Sequence, residues 1–229
     1  MKNAWFITGT DTGVGKTHVT TLLLRQLRHQ GIRAAAMKPI ACGFDGRNDA
    51  RTYHRIMKKE VPLDIINPIH FRSPLAPSVA ARIEHRRINM MTIRNAYAHL
   101  AARYSLILVE GAGGLMVPVK RDYFMADLAR DMNLPVIVIA RLGLGTINHT
   151  LLTVRQAQAI GLHVAGIILN DTTGNRGLAE RTNIREVPAI CGVPLFGIIP
   201  FGKKSGLCSI LQKLTTLLDP TTIHVHLLE

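Results

Sequence analysis

Apolar residues gather in six short runs, at 4–8, 33–38, 105–110, 135–140, 163–169 and 194–199, separated by longer segments of mixed polarity. Strand runs interleaved with helical patterns predict an α/β chain: a doubly wound, mostly parallel sheet with helices on both faces. Between the first two runs, Val19, Leu22, Leu23 and Leu27 recur at helical spacing, which predicts a helix over 16–30 stopped by Gly31. A second predicted helix spans Ile147–Ile160, with Leu151, Leu152 and Val154 turned inward and Gly161 as its stop. Prolines at 62, 68, 74 and 77 predict loop and short turns over 61–78. Residues 1–218 are expected to form a single domain, and 219–229, "DPTTIHVHLLE", a flexible tail whose His224 and His226 are incidental rather than a metal site.

Composition narrows the function classes. With 47% hydrophobic residues, and apolar runs far shorter than a bilayer span, no membrane segment is expected. Three cysteines, Cys42, Cys191 and Cys208, without metal-type spacing suit a reduced, cytoplasmic protein. The net charge of +13 invites a nucleic-acid reading. The basic residues are dispersed, however, and aromatics make up only 5%, so the expectation is a basic surface drawing in anionic small molecules, with no nucleic-acid partner.

The chemistry begins after the first run, at "GTDTGVGKT". Glycines there let backbone N–H groups turn onto phosphate oxygens, while the following helix adds its positive end. Lys16 would reach the outer phosphates and the Thr17 hydroxyl a magnesium ion. Gly9 and Thr10 make this a variant of the G-x-x-x-x-G-K-T loop of P-loop NTPases, and Thr12, Gly13, Val14, Gly15, Lys16, Thr17 and His18 form the expected triphosphate cradle. After the second run, "MKPIACG" sets Lys38 at a strand end beside that loop; the rival reading is a surface lysine before a turn. Asn48 is expected to cap a helix, and Asp49 either faces the site or simply occupies the helix start. Glu110 ends the third run and is followed by Gly111, Ala112 and Gly113. Magnesium takes hard oxygen ligands, so Thr17, Asp49 and Glu110 form a candidate metal set. Asn170, with Asp171 behind it, could read a base edge or serve a turn. "LGLGTINHT" offers a second anion-binding helix start without a lysine, which points to an acidic small-molecule co-substrate.

Taken in order, "TGTDTGVGKT", "KPIACG", "VEGAGG", "LGTINH", "ND" and "IP" resemble the dethiobiotin synthetases, over residues 1 to about 202. Related P-loop switch and partitioning proteins carry a signature lysine near the position of Asp11; this chain has "TDT", as the synthetases do. The resemblance implies a P-loop homodimer that uses ATP and magnesium to close the ring of 7,8-diaminononanoate with CO2, through a carbamate and a carbamic-phosphoric anhydride. It implies that Lys16 and Lys38 stabilise charge on the γ-phosphate and carbamate, and that Thr17, Asp49 and Glu110 hold the metal. Adenine would be held by Asn170 with Pro200, Phe201 and Gly202. The substrate carboxylate would be held by Gly145, Thr146, Ile147 and Asn148 of the opposite protomer. Three departures stand out: Cys42 replaces a usual hydroxyl residue at the substrate, Gly13 an acid found in some members, and no acid follows the "IP" segment between Lys203 and Leu218. An amidating enzyme of cobalamin synthesis shares such a domain but needs a glutaminase domain as well, which 229 residues cannot hold.

Overall fold

A computed structural model describes residues 3–43, 47–202 and 207–217. The expected tail at 219–229 lies outside the described residues, as do residues 203–206 of the acid-free segment. The chain runs β1 (Ala4–Gly9), α1 (Lys16–His29), β2 (Ala34–Met37), β3 (Ile40–Cys42), α2 (Asn48–Ile56), α3 (Leu63–Ile66), β4 (Ile69–Phe71), α4 (Pro77–Ile83) and α5 (Met90–Ala101). It continues through β5 (Leu106–Gly114), β6 (Pro118–Lys120), β7 (Tyr123–Phe124), α6 (Met125–Asp131), β8 (Val136–Arg141), α7 (Thr146–Ala159), β9 (Val164–Asn170), α8 (Leu178–Cys191), β10 (Leu195–Ile199) and α9 (Leu207–Thr216).

Six of the strands make one parallel sheet in the order β10-β9-β8-β1-β5-β2. Residues of both parities in β1, β8 and β9 are buried, so both faces of the sheet are covered, as their continuous apolar runs require. α1 closes over the sheet with Val19, Leu22, Leu23, Leu24 and Leu27 buried. The predicted α/β class and all six predicted strands are present, each within two residues of expectation except at the end of β5. β5 continues four residues past Glu110 because its ladder with β1 carries on to Gly9 and Gly114, where backbone pairing needs no apolar side chain. Among the described residues no helix is long and apolar enough to cross a membrane.

Three local expectations are corrected. Leu152 is 62% exposed, not buried. α7 buries Thr146, Thr150, Val154 and Ala157, a stripe of three- and four-residue steps, and a residue midway between 150 and 154 falls on the opposite face. Asn48 does not cap α2: it is the first helical residue, Arg47 stands at the cap, and the Asn48 side chain instead accepts from Arg51 at 3.3 Å. Residues 61–78 are more ordered than their prolines suggested. Pro62 stands at the cap of α3 and Pro77 opens α4, positions where a missing N–H is harmless, and β4 pairs with β3 in parallel.

Candidate active site

The loop between β1 and α1 turns on Gly13 and Gly15, both in the left-handed region at φ 77° and 96°. Lys16 folds back to donate to the Asp11 carbonyl at 2.9 Å, while the Asp11 carboxylate accepts from the Thr12 N–H at 2.6 Å. A Cβ on Gly15 would stand 2.1 Å from Asn170 Nδ2, which donates to the Val14 carbonyl at 2.9 Å. The amide nitrogen of Asn170 therefore braces the phosphate loop from the end of β9. His18 is exposed on the first turn of α1 and does not line the cleft below the loop.

Parallel pairing decides where the charges meet. β2 and β5 pair with Met37 opposite Val109, so the next residues, Lys38 and Glu110, emerge side by side. Lys38 Nζ stands 2.6 Å from Glu110 Oε1 and 3.0 Å from Asp49 Oδ2. Thr17 Oγ1 donates to Glu110 Oε1 at 2.8 Å, and the Tyr53 hydroxyl donates to Glu110 Oε2. Glu110 and Tyr53 are fully buried and Lys38 nearly so. Asn67 fixes the strand end, its amide donating to the Lys38 and Ile69 carbonyls at 2.8 and 2.9 Å. Asp49 stands in the first turn of α2 with its carboxylate on the cleft, 3.0 Å from Lys38 Nζ.

Tyr53 was invisible to the motif reading. The signal that could have found it is its spacing: it sits four residues after Asp49, on the same face of α2.

Burial and neighbours divide the two lysines. Burial lowers the Lys16 ammonium to about 8, with Glu110 resisting and Lys38 adding like-charge repulsion. Lys38 is pushed down by burial too, yet its contacts with Glu110 and Asp49 outweigh this and raise it above the ordinary lysine range. Tyr53 is raised well above the usual phenol value by burial and by Glu110, so it remains a donor. Burial, then Glu84, raises the Cys42 thiol to about 11, leaving it neutral at the edge of the cleft.

Lys16, Thr17, Lys38, Cys42, Asp49 and Glu110 line a cleft of about 680 Å³ between the phosphate loop and the Pro74–Pro77 segment, with Ala112 and Gly113 on its wall and Tyr53 behind it. Its oxygen donors are of the kind magnesium takes: the Asp49 and Glu110 carboxylates flank the Lys38 ammonium, and the Thr17 hydroxyl meets Glu110. The remaining sequence candidates lie elsewhere. Asp171 N–H donates to Ile199 O at 2.8 Å, which sets Pro200, Phe201 and Gly202 beside Asn170 at the ends of β9 and β10. The Asp171 carboxylate is turned to Arg176 and to the Gly174 and Thr173 N–H groups; these overcome burial and hold it below the usual carboxylate range. Phe201 is half exposed, its ring against Gly174. Gly145, at φ 89°, starts α7 after β8, with Thr146 buried and Asn148 exposed, and none of residues 145–148 lines this cleft.

Comparison with known proteins bears directly on this arrangement. A family model described as an AAA domain matches residues 3–206. A solved structure of the signal recognition particle receptor FtsY from Elizabethkingia anophelis in complex with GDP superposes with TM-score 0.53 at 14% identity. That match covers 93% of this chain and 63% of the receptor chain, and it speaks to the fold alone. Among curated proteins, the ATP-dependent dethiobiotin synthetase of Anaeromyxobacter dehalogenans is 47% identical over 198 residues, covering 86% of this chain and 89% of its own. That of Thermodesulfovibrio yellowstonii is 41% identical, covering 88% and 90%. That of Bacillus licheniformis is 38% identical, covering 86% and 85%. Identity at this level across nearly the whole chain, on a parallel sheet with a phosphate loop and a paired-lysine cleft, places the molecule: the chain belongs to the dethiobiotin synthetase family.

Proposed function

We propose that this protein is an ATP-dependent dethiobiotin synthetase of biotin biosynthesis, carboxylating 7,8-diaminononanoate with CO2 and closing the ring at the expense of ATP. The observation that carries the reading is the convergence of Lys16, Lys38, Glu110, Asp49 and Thr17 at one cleft. A switch protein needs its phosphate loop; it does not need a second buried lysine held charged between two carboxylates.

In the proposed sequence, one substrate amine adds to CO2 and loses a proton, giving a carbamate. A carbamate oxygen attacks the γ-phosphorus and ADP departs, leaving a carbamic-phosphoric anhydride. The second amine attacks the carbonyl carbon, phosphate leaves with its bonding pair, and loss of a proton completes the ring. Lys16 and Lys38 hold anionic oxygens through these steps, and catalysis rests on placement and preorganised charge. Thr17, Asp49 and Glu110 would hold a magnesium ion, which when bound supplies charge neutralisation at the phosphates. Neutral Cys42 bounds the substrate space without attacking. Adenine would lie near Asn170 and Pro200 to Gly202, with His18 and Asp171 peripheral. The helix start Gly145 to Asn148, lying outside this chain's own cleft, would serve the substrate carboxylate in a partner protomer's cleft. We expect a cytoplasmic homodimer, with residues 1–218 as its catalytic domain.

A coupled phosphate-release assay tests the reading, with ATP, bicarbonate and 7,8-diaminononanoate omitted in turn. Release should require all three. Hydrolysis at an equal rate without the diamine would assign the protein to the switch class instead.

A further inference from the structure

The β2–β5 register that joins Lys38 to Glu110 also joins the opposite ends of these strands. Ala34 pairs with Leu106, and the Ser105 N–H donates to the Arg33 carbonyl at 2.9 Å. Arg33 and Arg103, far apart in sequence, therefore flank one pocket of about 580 Å³ at the edge of the sheet remote from the phosphate loop. Arg28, Gly31, Ile32, Glu60, Val61 and Tyr104 complete it.

The charges within this pocket do not balance. Glu60 is its one carboxylate, and both of its oxygens are engaged, by the Arg28 guanidinium and by the Tyr104 hydroxyl at 2.8 Å. Arg28 is further held by the Ala34 carbonyl at 3.0 Å. Among the described residues neither Arg33 nor Arg103 enters an ion pair, and both are exposed at the rim. The turn that delivers Glu60 is itself unusual. Lys58 and Lys59 both lie in the left-handed region, at φ 52° and 58°, a conformation that side-chain-bearing residues seldom adopt in succession. Ile32 and the ring of Tyr104 are buried and give the pocket an apolar floor.

Two uncommitted guanidinium forks suit a dianion that accepts paired hydrogen bonds, and phosphate does so through its several oxygens. The volume exceeds what a bare phosphate fills and falls in the range of small-molecule sites, and the floor suits an organic moiety. We propose that this pocket is a second ligand site, which binds a small organic phosphate through Arg33 and Arg103, with Arg28 and Glu60 as its fixed frame.

Calorimetric titration distinguishes this site from the phosphate loop, with pyrophosphate and AMP as probes. Pyrophosphate should occupy two sites on the unaltered protein and one on the Arg33→Ser/Arg103→Ser variant, whose exposed substitutions leave the core intact. In the Lys16→Ala background one site should persist, for AMP at least as tightly as for pyrophosphate. Adding Arg33→Ser/Arg103→Ser there should weaken it by about tenfold or more, the scale of losing charged hydrogen bonds. A charge-matched Arg82→Ser/Arg185→Ser variant should retain it. One site on the unaltered protein that Lys16→Ala abolishes would overturn the proposal. So would an equal loss in the charge-matched variant, or binding of pyrophosphate without AMP. Failure of Lys16→Ala to remove any site would count against the phosphate-loop reading and leave the edge pocket to be judged by its own variant.

Discussion

Replacing Tyr53 with phenylalanine removes the hydroxyl that donates to Glu110 and also meets Thr20 at the centre of the site. The ring is fully buried and would stay in place, while Glu110 Oε2, on a carboxylate with no solvent exposure, would lose its donor. Leaving a buried acceptor unsatisfied costs about 1–3 kcal/mol, and more toward the upper figure when the acceptor is charged. For a chain of this size each kcal/mol lowers the melting temperature by about 2–4 °C, so a fall of roughly 3–10 °C is expected. The same donor fixes the orientation of the carboxylate that Lys38 and Thr17 share. Tyr53→Phe should therefore also raise the magnesium concentration needed for half-maximal phosphate release and lower kcat by about tenfold, with KM for the diamine little changed. Because burial and Glu110 hold the phenol protonated, the effect should be independent of pH between about 6 and 9. Calorimetry and a magnesium titration of the two proteins settle it. A lower melting temperature with an unchanged magnesium dependence would make Tyr53 a packing residue and refute its role in positioning Glu110.

Four further outcomes follow from the geometry. Lys16→Ala and Lys38→Ala should each reduce turnover by about 10²-fold or more in proteins whose circular dichroism is unchanged, and full activity of Lys38→Ala would remove one of the two proposed cations. Since free Lys16 is lowered to about 8 and its ammonium form binds the triphosphate better than the amine, ATP affinity should fall by up to about tenfold per pH unit above 8, with proton uptake on binding; an affinity constant from about pH 7.5 to 9.5 would contradict this. Gly15→Ala should destroy ATP binding, measured by equilibrium titration, because its Cβ would meet the Asn170 amide at a backbone angle that alanine resists; unaltered affinity would mean that the brace moves freely. Cys42→Ser should keep or modestly improve kcat/KM for the diamine, since a thiol held near 11 is no nucleophile at neutral pH; a loss beyond about 10³-fold, with ATP binding intact, would give the sulfur a chemical role.

Local order along the chain was legible where one short-range rule governed it. Continuous apolar runs marked the six strands of the sheet, and the glycine loop at a strand-to-helix junction marked the phosphate site, because both signals are complete within about ten residues. Lys38 and Glu110 were legible as residues at strand ends, but not as a pair. Their 2.6 Å contact follows from β2 lying next to β5, a choice of neighbour made by the whole sheet. The same pairing built the Arg33 and Arg103 pocket, which no motif announces. Asn170 could be read as a base contact or a turn residue, and only the packing of β9 against the loop turned its amide nitrogen to Val14. Leu152 was misread because an apolar residue on a helix says nothing of its face until neighbouring elements fix which stripe is covered. Sequence alone placed the six strands of the main sheet, the helices after β1 and β8, and the polar residues at their ends, but not the short elements between them. Parallel register and strand order decided which of those ends meet, since contacts between distant residues are set by the packing of the complete sheet rather than by any local preference.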